Sequence, residues 1–144
     1  MDEIDIQIIE ILQLEGRISI SDLSKRIALS RPSVNERVQR LQEKGVIRGY
    51  KAIVHPESVG RNLLVMIELI NLRVPMNKFE EHIKNNVPQV IECHRATGHV
   101  HYYIKAALKG TDELTDLIKD LLPFGDTRSS ILLGTPVENN IILP

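Results

Sequence analysis

The sequence is poor in the residue types that several classes of function require. It contains no Trp, and Tyr and Phe together make up 3% of its residues. Proteins that bind single-stranded nucleic acid stack the bases on aromatic side chains, so this composition argues against that class. Cys93 is the single cysteine, which excludes an internal disulfide and a cluster of thiolate ligands around a metal.

Long apolar runs are also absent. No stretch approaches the roughly 20 apolar residues that a membrane-spanning helix needs. The chain opens with Asp2, Glu3 and Asp5 instead of basic residues before an apolar run, so no secretory signal is expected. Together with the single cysteine, these features predict a protein of the reducing cytoplasm.

The basic residues are concentrated in one segment, although the net charge of the chain is only −1. Between Arg17 and Lys51 there are nine Lys and Arg against three Asp and Glu, whereas from Ala52 onward there are nine against eleven. Neutralisation of DNA phosphates requires such a local excess of positive charge. A solvated surface of the same charge is the alternative interpretation.

Two short helices are predicted at the N-terminus. Apolar residues recur at helical spacing from Asp5, the expected N-cap, to Leu14, and Gly16 is expected to end this first helix. Ser19 and Asp22 have the spacing of a capping box, which predicts the start of a second helix. That helix is expected to end near residue 27 or 28.

A third helix follows after a tight turn at Leu29 and Ser30. Ser30 is its expected N-cap, Pro32 lies in its first turn, and Gly45 ends it in a left-handed conformation. Its predicted buried stripe consists of Val34, Val38 and Leu41. Three helices with this spacing predict a helix-turn-helix.

The remainder of the chain predicts an α+β domain. Val46–Ile47 and Tyr50–Val54 predict a small hairpin or wing, and residues 55–62 predict a hinge because they hold Pro56 and Gly60. The predicted elements beyond it are strands at 63–72, 90–96, 102–108 and 128–133, with helices at 76–86 and 111–122. This βαββαβ order is the ferredoxin-like arrangement. The expected domains are therefore residues 1–54 for the helix-turn-helix unit and 63–144 for the α/β sandwich.

The outward face of the third helix supplies candidates for DNA binding. Ser33, Asn35 and Gln39 suit base edges, because amides pair bidentately with adenine and hydroxyls serve as donor or acceptor. Glu36 could accept from cytosine or pair with Arg40 one turn further on. Phosphate contacts are expected mainly from the arginines. The full predicted set is Lys25, Arg26, Arg31, Pro32, Ser33, Asn35, Glu36, Arg37, Gln39, Arg40 and Lys51.

Residues Leu29–Ile47, followed by Gly49 and Tyr50, closely resemble the leucine-responsive/asparagine-responsive (Lrp/AsnC, feast/famine) regulators. The resemblance implies a winged helix-turn-helix joined to a ligand-sensing domain. It also implies homodimers that assemble to octamers and respond to amino acids or related metabolites. By analogy the effector-binding residues are Thr97, Gly98, His99 and His101.

The chain departs from the family pattern near this effector loop. Many relatives carry aspartate where this chain has His101, and Gly125–Asp126 replaces a glycine–valine pair. His94, His99 and His101 are weak candidates for a metal site because no carboxylate or thiolate partner is evident, so no metal and no cofactor are expected. Cys93 is interpreted as a small buried hydrophobe.

The favoured function is a sequence-specific transcriptional regulator that binds double-stranded DNA and has no enzymatic activity. An architectural protein that compacts DNA is one alternative, since the same fold would serve. A tetrapyrrole decarboxylase is another, with His94, Arg95, His99 and His101 as its candidate pocket. No nucleophile–base pair is apparent, which argues against the enzyme.

Overall fold

The computed structural model describes residues 1–144, which form two compact units. The first unit comprises Met1–Ile53 together with Val137–Pro144, and the second comprises Val54–Pro136. The C-terminal segment Val137–Pro144 therefore clusters with the first unit, whereas the sequence prediction included it in the second domain. None of the helices is long and apolar enough to span a membrane.

Three helices form the first unit. They are α1 (Glu3–Leu14), α2 (Ile20–Arg26) and α3 (Arg31–Glu43). They bury a small aliphatic core that consists of Ile8, Leu23, Val34, Val38 and Leu41. The predicted stripe of α3 is thus confirmed, since its three members all lie in this core.

The start of α1 differs from the prediction. Asp2, not Asp5, is the N-cap: its Oδ1 accepts from the amide of Asp5 at 2.9 Å. Asp5 returns the interaction, because its Oδ2 accepts from the amide of Asp2 at 3.2 Å. The two aspartates form a reciprocal capping box, in which either side chain has the chemistry of a cap. The helix ends at Leu14, two residues before Gly16.

The predicted capping box of α2 forms only in part. Ser19 Oγ accepts from the amide of Asp22 at 3.0 Å, as expected. The carboxylate of Asp22 does not return to the amide of Ser19, because it accepts from the Ser19 hydroxyl at 2.7 Å and from Lys25 Nζ at 2.9 Å. After α2 ends at Arg26, Ala28 turns the chain with a φ of 54°.

The caps of α3 match the prediction, but the hairpin after it does not form. Ser30 Oγ accepts from the amide of Ser33 at 3.3 Å, and Gly45 has a φ of 68°. The amides of Val46 and Ile47 both donate to the carbonyl of Leu41, at 2.9 and 3.1 Å. These amides finish the helix and are unavailable to a ladder, and residues 46–55 contain no strand.

The second unit has the βαββαβ order expected from the sequence. After a 3-10 turn at Pro56–Val59, its elements are β1 (Leu63–Ile70), α4 (Met76–Asn86), β2 (Val90–Arg95), β3 (Val100–Leu108), α5 (Thr111–Leu121) and β4 (Asp126–Ile131). The strands form one antiparallel sheet in the order β2-β3-β1-β4. This arrangement confirms the α+β fold class.

One face of the sheet is packed against the helices α4 and α5, and the other face is not. Alternate β1 residues Val65, Ile67 and Leu69 are buried in one core with Phe79 of α4 and Leu117 of α5. Side chains of a strand alternate between faces, so the residues between them lie on the opposite side. That side carries Leu64, Met66 and Ile70, which are only partly buried, and Tyr103, which is exposed.

Candidate DNA interface and effector loop

The exposed face of α3 presents one row of polar side chains. Arg31, Asn35 and Gln39 are all exposed and follow one another at a spacing of four residues. Residues four apart lie on the same side of a helix, so the three side chains share one surface. Pro32 and Glu36 are also exposed beside this row. The structure therefore brings most of the predicted α3 contacts together on the exposed surface of the helix, away from its buried stripe.

Gln39 already has a hydrogen-bond partner on this face. Its Nε2 donates to Glu43 Oε1 at 2.9 Å, one turn further along α3. A base contact from this amide therefore has to replace an intrahelical hydrogen bond. Asn35 and Arg31 make no side-chain hydrogen bond or ion pair, and Ser33, partly buried, contributes only its amide to the N-cap.

Two of the predicted phosphate contacts point elsewhere. Arg37 Nη1 lies 2.7 Å from Asp5 Oδ1 and 2.8 Å from Asp2 Oδ2, and Arg40 Nη2 lies 3.2 Å from both oxygens of Asp5. The suggested pair between Glu36 and Arg40 is wrong, because Arg40 takes Asp5 as its partner. From the sequence, Asp5 is predicted only as a cap and Asp2 has no predicted structural role, so the contacts of both aspartates with these arginines were missed.

The electrostatics of Asp5 reflect its surroundings. Burial alone would raise the pKa of this carboxyl, but hydrogen bonds from Arg37 and from the amide of Asp2 outweigh burial and lower its pKa below the ordinary value. The pKa of Asp2 is also lowered, chiefly by its hydrogen bond from Arg37. Both carboxylates are therefore ionised at neutral pH and neutralise the two arginines.

The remaining predicted cations lie outside α3. Arg26 makes a two-pronged contact with Glu15, at 2.5 and 2.8 Å, and this hydrogen bonding raises its pKa further. Lys25 pairs with Asp22 at 2.9 Å, and Lys51 is exposed in the strandless segment after α3. Exposed pairs of this kind are worth little, so Lys25 and Arg26 can exchange their carboxylates for phosphates at small cost.

The predicted effector loop lies between β2 and β3. Thr97, Gly98 and His99 are exposed, and Gly98 has a φ of 99°, a conformation that favours glycine. The amide of Ala96 closes the loop by donating to the carbonyl of His101 at 2.9 Å. His101 is half-buried, and its Nδ1 is buried without a hydrogen-bond partner.

The residues suggested for a metal or a catalytic pocket do not converge. His94 pairs opposite Tyr103 in the sheet and contacts Glu92 at 3.2 Å, whereas Arg95 pairs opposite the buried Tyr102. Neighbouring residues of a strand point to opposite faces, so the two side chains diverge. No group of three His, Cys, Asp or Glu is arranged to hold a metal ion.

The contacts of Cys93 and Asp126 indicate that both residues have structural roles. Burial raises the pKa of the Cys93 thiol to about 11, with a further contribution from Glu80, so the thiol is protonated and a poor nucleophile. Asp126, one of the departures from the family pattern, accepts from Asn71 Nδ2 at 2.8 Å and pairs with Arg73. Its carboxylate therefore ties the segment after β1 to the start of β4.

Comparison with known proteins identifies the family to which the chain belongs. A family profile described as winged helix-turn-helix DNA-binding matches residues 1–48, and one described as Lrp/AsnC ligand binding domain matches residues 62–142. The chain belongs to the Lrp/AsnC family. The leucine-responsive regulatory protein of Haemophilus influenzae is 34% identical to this Lrp/AsnC chain, over 99% of the chain and 90% of the relative.

Solved Lrp/AsnC structures share the fold. LrpC of B. subtilis has a TM-score of 0.89 at 28% identity, over 94% of this chain and 96% of that one. A feast or famine regulatory protein from M. tuberculosis, solved with L-methionine, has a TM-score of 0.89 at 30% identity, over 99% of each chain. The resemblance seen in the sequence is thereby confirmed, and the chain is a transcriptional regulator of the Lrp/AsnC type.

Proposed function

We propose that this protein is a sequence-specific DNA-binding transcriptional regulator that inserts α3 into the major groove. One observation carries the proposal: Arg31, Asn35 and Gln39 form an exposed row on a helix that buries a separate aliphatic stripe in the core. A recognition helix contacts base edges with its N-terminal half, and this row starts at the first residue of α3.

The side chains of this face divide by chemistry. Asn35 and Gln39 are proposed to contact bases, since a carboxamide pairs bidentately with adenine, and Ser33 can serve as donor or acceptor. Pro32 and Glu36 complete the base-facing surface. Arg31, Lys25, Arg26 and Lys51 are proposed to contact phosphates, which position the protein without selecting sequence. Arg37 and Arg40, the remaining two residues of the predicted set, pair with Asp5 of α1 in the structure.

The second unit is proposed to bind an amino acid or related metabolite at Thr97, Gly98, His99 and His101. The match to a ligand-binding domain and the L-methionine complex of a relative support this assignment. The unpartnered Nδ1 of His101 supports it as well, because a buried polar atom without a partner is costly unless a ligand or water satisfies it.

A homodimer, assembling further to an octamer, is the proposed state in solution. The uncovered side of the sheet carries Leu64, Met66, Ile70 and Tyr103, and a second copy of the same face would bury them. Two copies related by a two-fold axis would present two α3 helices to half-sites about one helical turn apart.

Selection of duplexes from a random library, followed by footprinting on a selected sequence, tests the function. The proposal expects an enriched palindrome-like sequence with discrete, phased protection. Uniform protection without enrichment would contradict it and would support the architectural alternative instead. Absence of any duplex binding would contradict both.

A further inference from the structure

α3 is attached to α1 by a group of four charged residues, called here the Asp5 cluster: Asp2, Asp5, Arg37 and Arg40. Asp5 is only 3% exposed, although it is ionised. Its Oδ1 lies 2.7 Å from Arg37 Nη1 and 3.2 Å from Arg40 Nη2. The cluster therefore connects a buried carboxylate of α1 to two successive turns of the helix proposed to contact DNA.

The two arginines are held unequally. The side chain of Arg37 is 22% exposed and donates to both Asp2 and Asp5 at 2.7–2.9 Å, the length of a strong charge-assisted hydrogen bond. The side chain of Arg40 is 44% exposed and contacts Asp5 alone, at 3.2 Å. Arg40 can leave while Arg37 still neutralises Asp5, whereas loss of Arg37 would leave a buried charge poorly compensated.

The Asp5 cluster also fixes the rotation of α3 about its own axis, which its apolar packing alone does not. The buried stripe of α3 is purely aliphatic, and apolar contacts are non-directional. Hydrogen bonds are directional, and residues 37 and 40 point about 60° apart around the helix axis. One carboxylate that contacts both therefore fixes the rotation of α3, and with it the angle at which Asn35 and Gln39 face outward.

We propose that Asp5 is a positioning residue for DNA recognition, which holds Arg37 as an internal anchor and sets the rotation of α3, while Arg40 exchanges Asp5 for a DNA phosphate. This inference rests on the proposed DNA-binding function of α3. It removes Arg37 from the predicted phosphate contacts and retains Arg31 and Arg40.

The salt dependence of binding counts phosphate contacts and separates the two roles. The full chain is titrated with a mixed-sequence duplex between roughly 50 and 200 mM salt, and log K is plotted against log salt. Arg31→Gln and Arg40→Gln are expected to reduce the slope by about 0.9 per contacting subunit. Arg37→Gln is expected to leave the slope unchanged, as is the control Lys78→Gln on α4, which is exposed and makes no ion pair.

The base preference measured by selection from a random duplex library distinguishes a positioning role of Asp5 and Arg37 from a purely structural role. Arg37→Gln and Asp5→Asn are expected to flatten the base preference that the wild-type protein shows in a random-library selection. Arg37→Lys keeps the charge opposite Asp5 and is expected to restore much of that preference. A structural role alone would lower the thermal midpoint of these variants while the selected sequence stayed that of the wild type.

Several outcomes would overturn the inference. A slope reduced by about 0.9 for Arg37→Gln would make Arg37 a phosphate contact, and an unchanged selected sequence would remove the positioning role. If Arg37→Gln does not fold, the salt dependence of Asp2→Asn serves as the test instead. This variant removes only the exposed carboxylate of the cluster. Its slope is expected to equal that of the wild type, because Arg37 remains paired with Asp5. A steeper slope would show that Arg37 moves to DNA. A wild-type chain that binds no duplex would overturn the proposed function itself.

Discussion

Two single residues of α3, Asn35 and Gln39, carry the amides that are proposed to contact bases. Asn35→Ala and Gln39→Ala are each expected to relax the preference for one base position per half-site, at a cost of about 1–3 kcal/mol if a bidentate contact is lost. Gln39→Ala is expected to show the smaller effect, because its amide first has to leave Glu43. Binding titrations on a selected duplex and on single-base variants measure both changes.

A matched control for these two substitutions lies on α1. Gln7→Ala removes the same kind of carboxamide from another exposed helical position and is expected to change neither affinity nor base preference. If Asn35→Ala and Gln39→Ala both behaved like Gln7→Ala, the amides of α3 would have no part in recognition.

Gly125 lies where neighbouring atoms of the segment after β1 and of β1 itself leave no room for a side chain. A Cβ at this position would lie 2.6 Å from the carbonyl oxygen of Ile70 and 3.1 Å from Leu69 Cδ1, so Gly125→Ala has to displace a strand. Overpacking of this kind costs about 1–3 kcal/mol. Gly134→Ala is the control, because its Cβ would meet nothing within 4 Å. Equal urea midpoints for the two variants would contradict the close approach.

At the scale of the elements, the link between α1 and α3 makes unfolding depend on pH. The folded-state pKa of Asp5 lies below its unfolded value, so its stabilisation is present above about pH 4 and is lost as pH falls through the folded pKa. Asp5→Asn is therefore expected to cost roughly 1.5–3 kcal/mol at pH 7, the range for hydrogen bonds to a charged group.

The pH profile distinguishes this link from simple packing. Urea unfolding of the wild type and of Asp5→Asn, measured from pH 7 down to about pH 3, is expected to show two curves that converge in acid. A constant difference between the two free energies of unfolding would mean that the charge of Asp5 contributes nothing.

The elements also show what a sequence reveals and what it does not. The caps of α3 and its buried stripe were predictable because Ser30, Gly45 and the valines act within a few residues of themselves. The predicted hairpin after α3 was wrong because the amides of Val46 and Ile47 donate to the last turn of the helix. Composition does not determine whether these amides pair with the helix or with a neighbouring strand.

Ion pairs between residues far apart in the sequence were the second feature that could not be predicted. Arg37 and Arg40 lie on the helical wheel where phosphate contacts are expected, and their pairing with Asp5 spans 32 and 35 residues. No local pattern reports a contact of that separation. In the second unit, by contrast, the order of elements was predictable, because each strand and helix carries its own periodicity.

At the scale of the whole molecule, the uncovered side of the sheet predicts self-association. Met66→Glu places a charge on that side opposite Lys105, a favourable neighbour within the protomer, so the protomer itself is expected to fold. Its dimer is expected to dissociate, because a second copy would bury the carboxylate. Sedimentation velocity measures the change.

Leu122→Glu is the control for this prediction. Leu122 is also a partly exposed hydrophobic residue, at the end of α5, on the other side of the sheet. It is expected to leave the dimer intact. A dimer that survived Met66→Glu and dissociated with Leu122→Glu would place the interface on the helical side.

Methylation interference on a selected duplex tests whether α3 enters the major groove, because methylation of guanine N7 blocks the major groove and methylation of adenine N3 blocks the minor groove. We expect N7 methylation to abolish binding at two short clusters about one helical turn apart, or a multiple of that, with N3 methylation having little effect between them. Binding that tolerated N7 methylation throughout the protected region would contradict the insertion of α3 into the major groove.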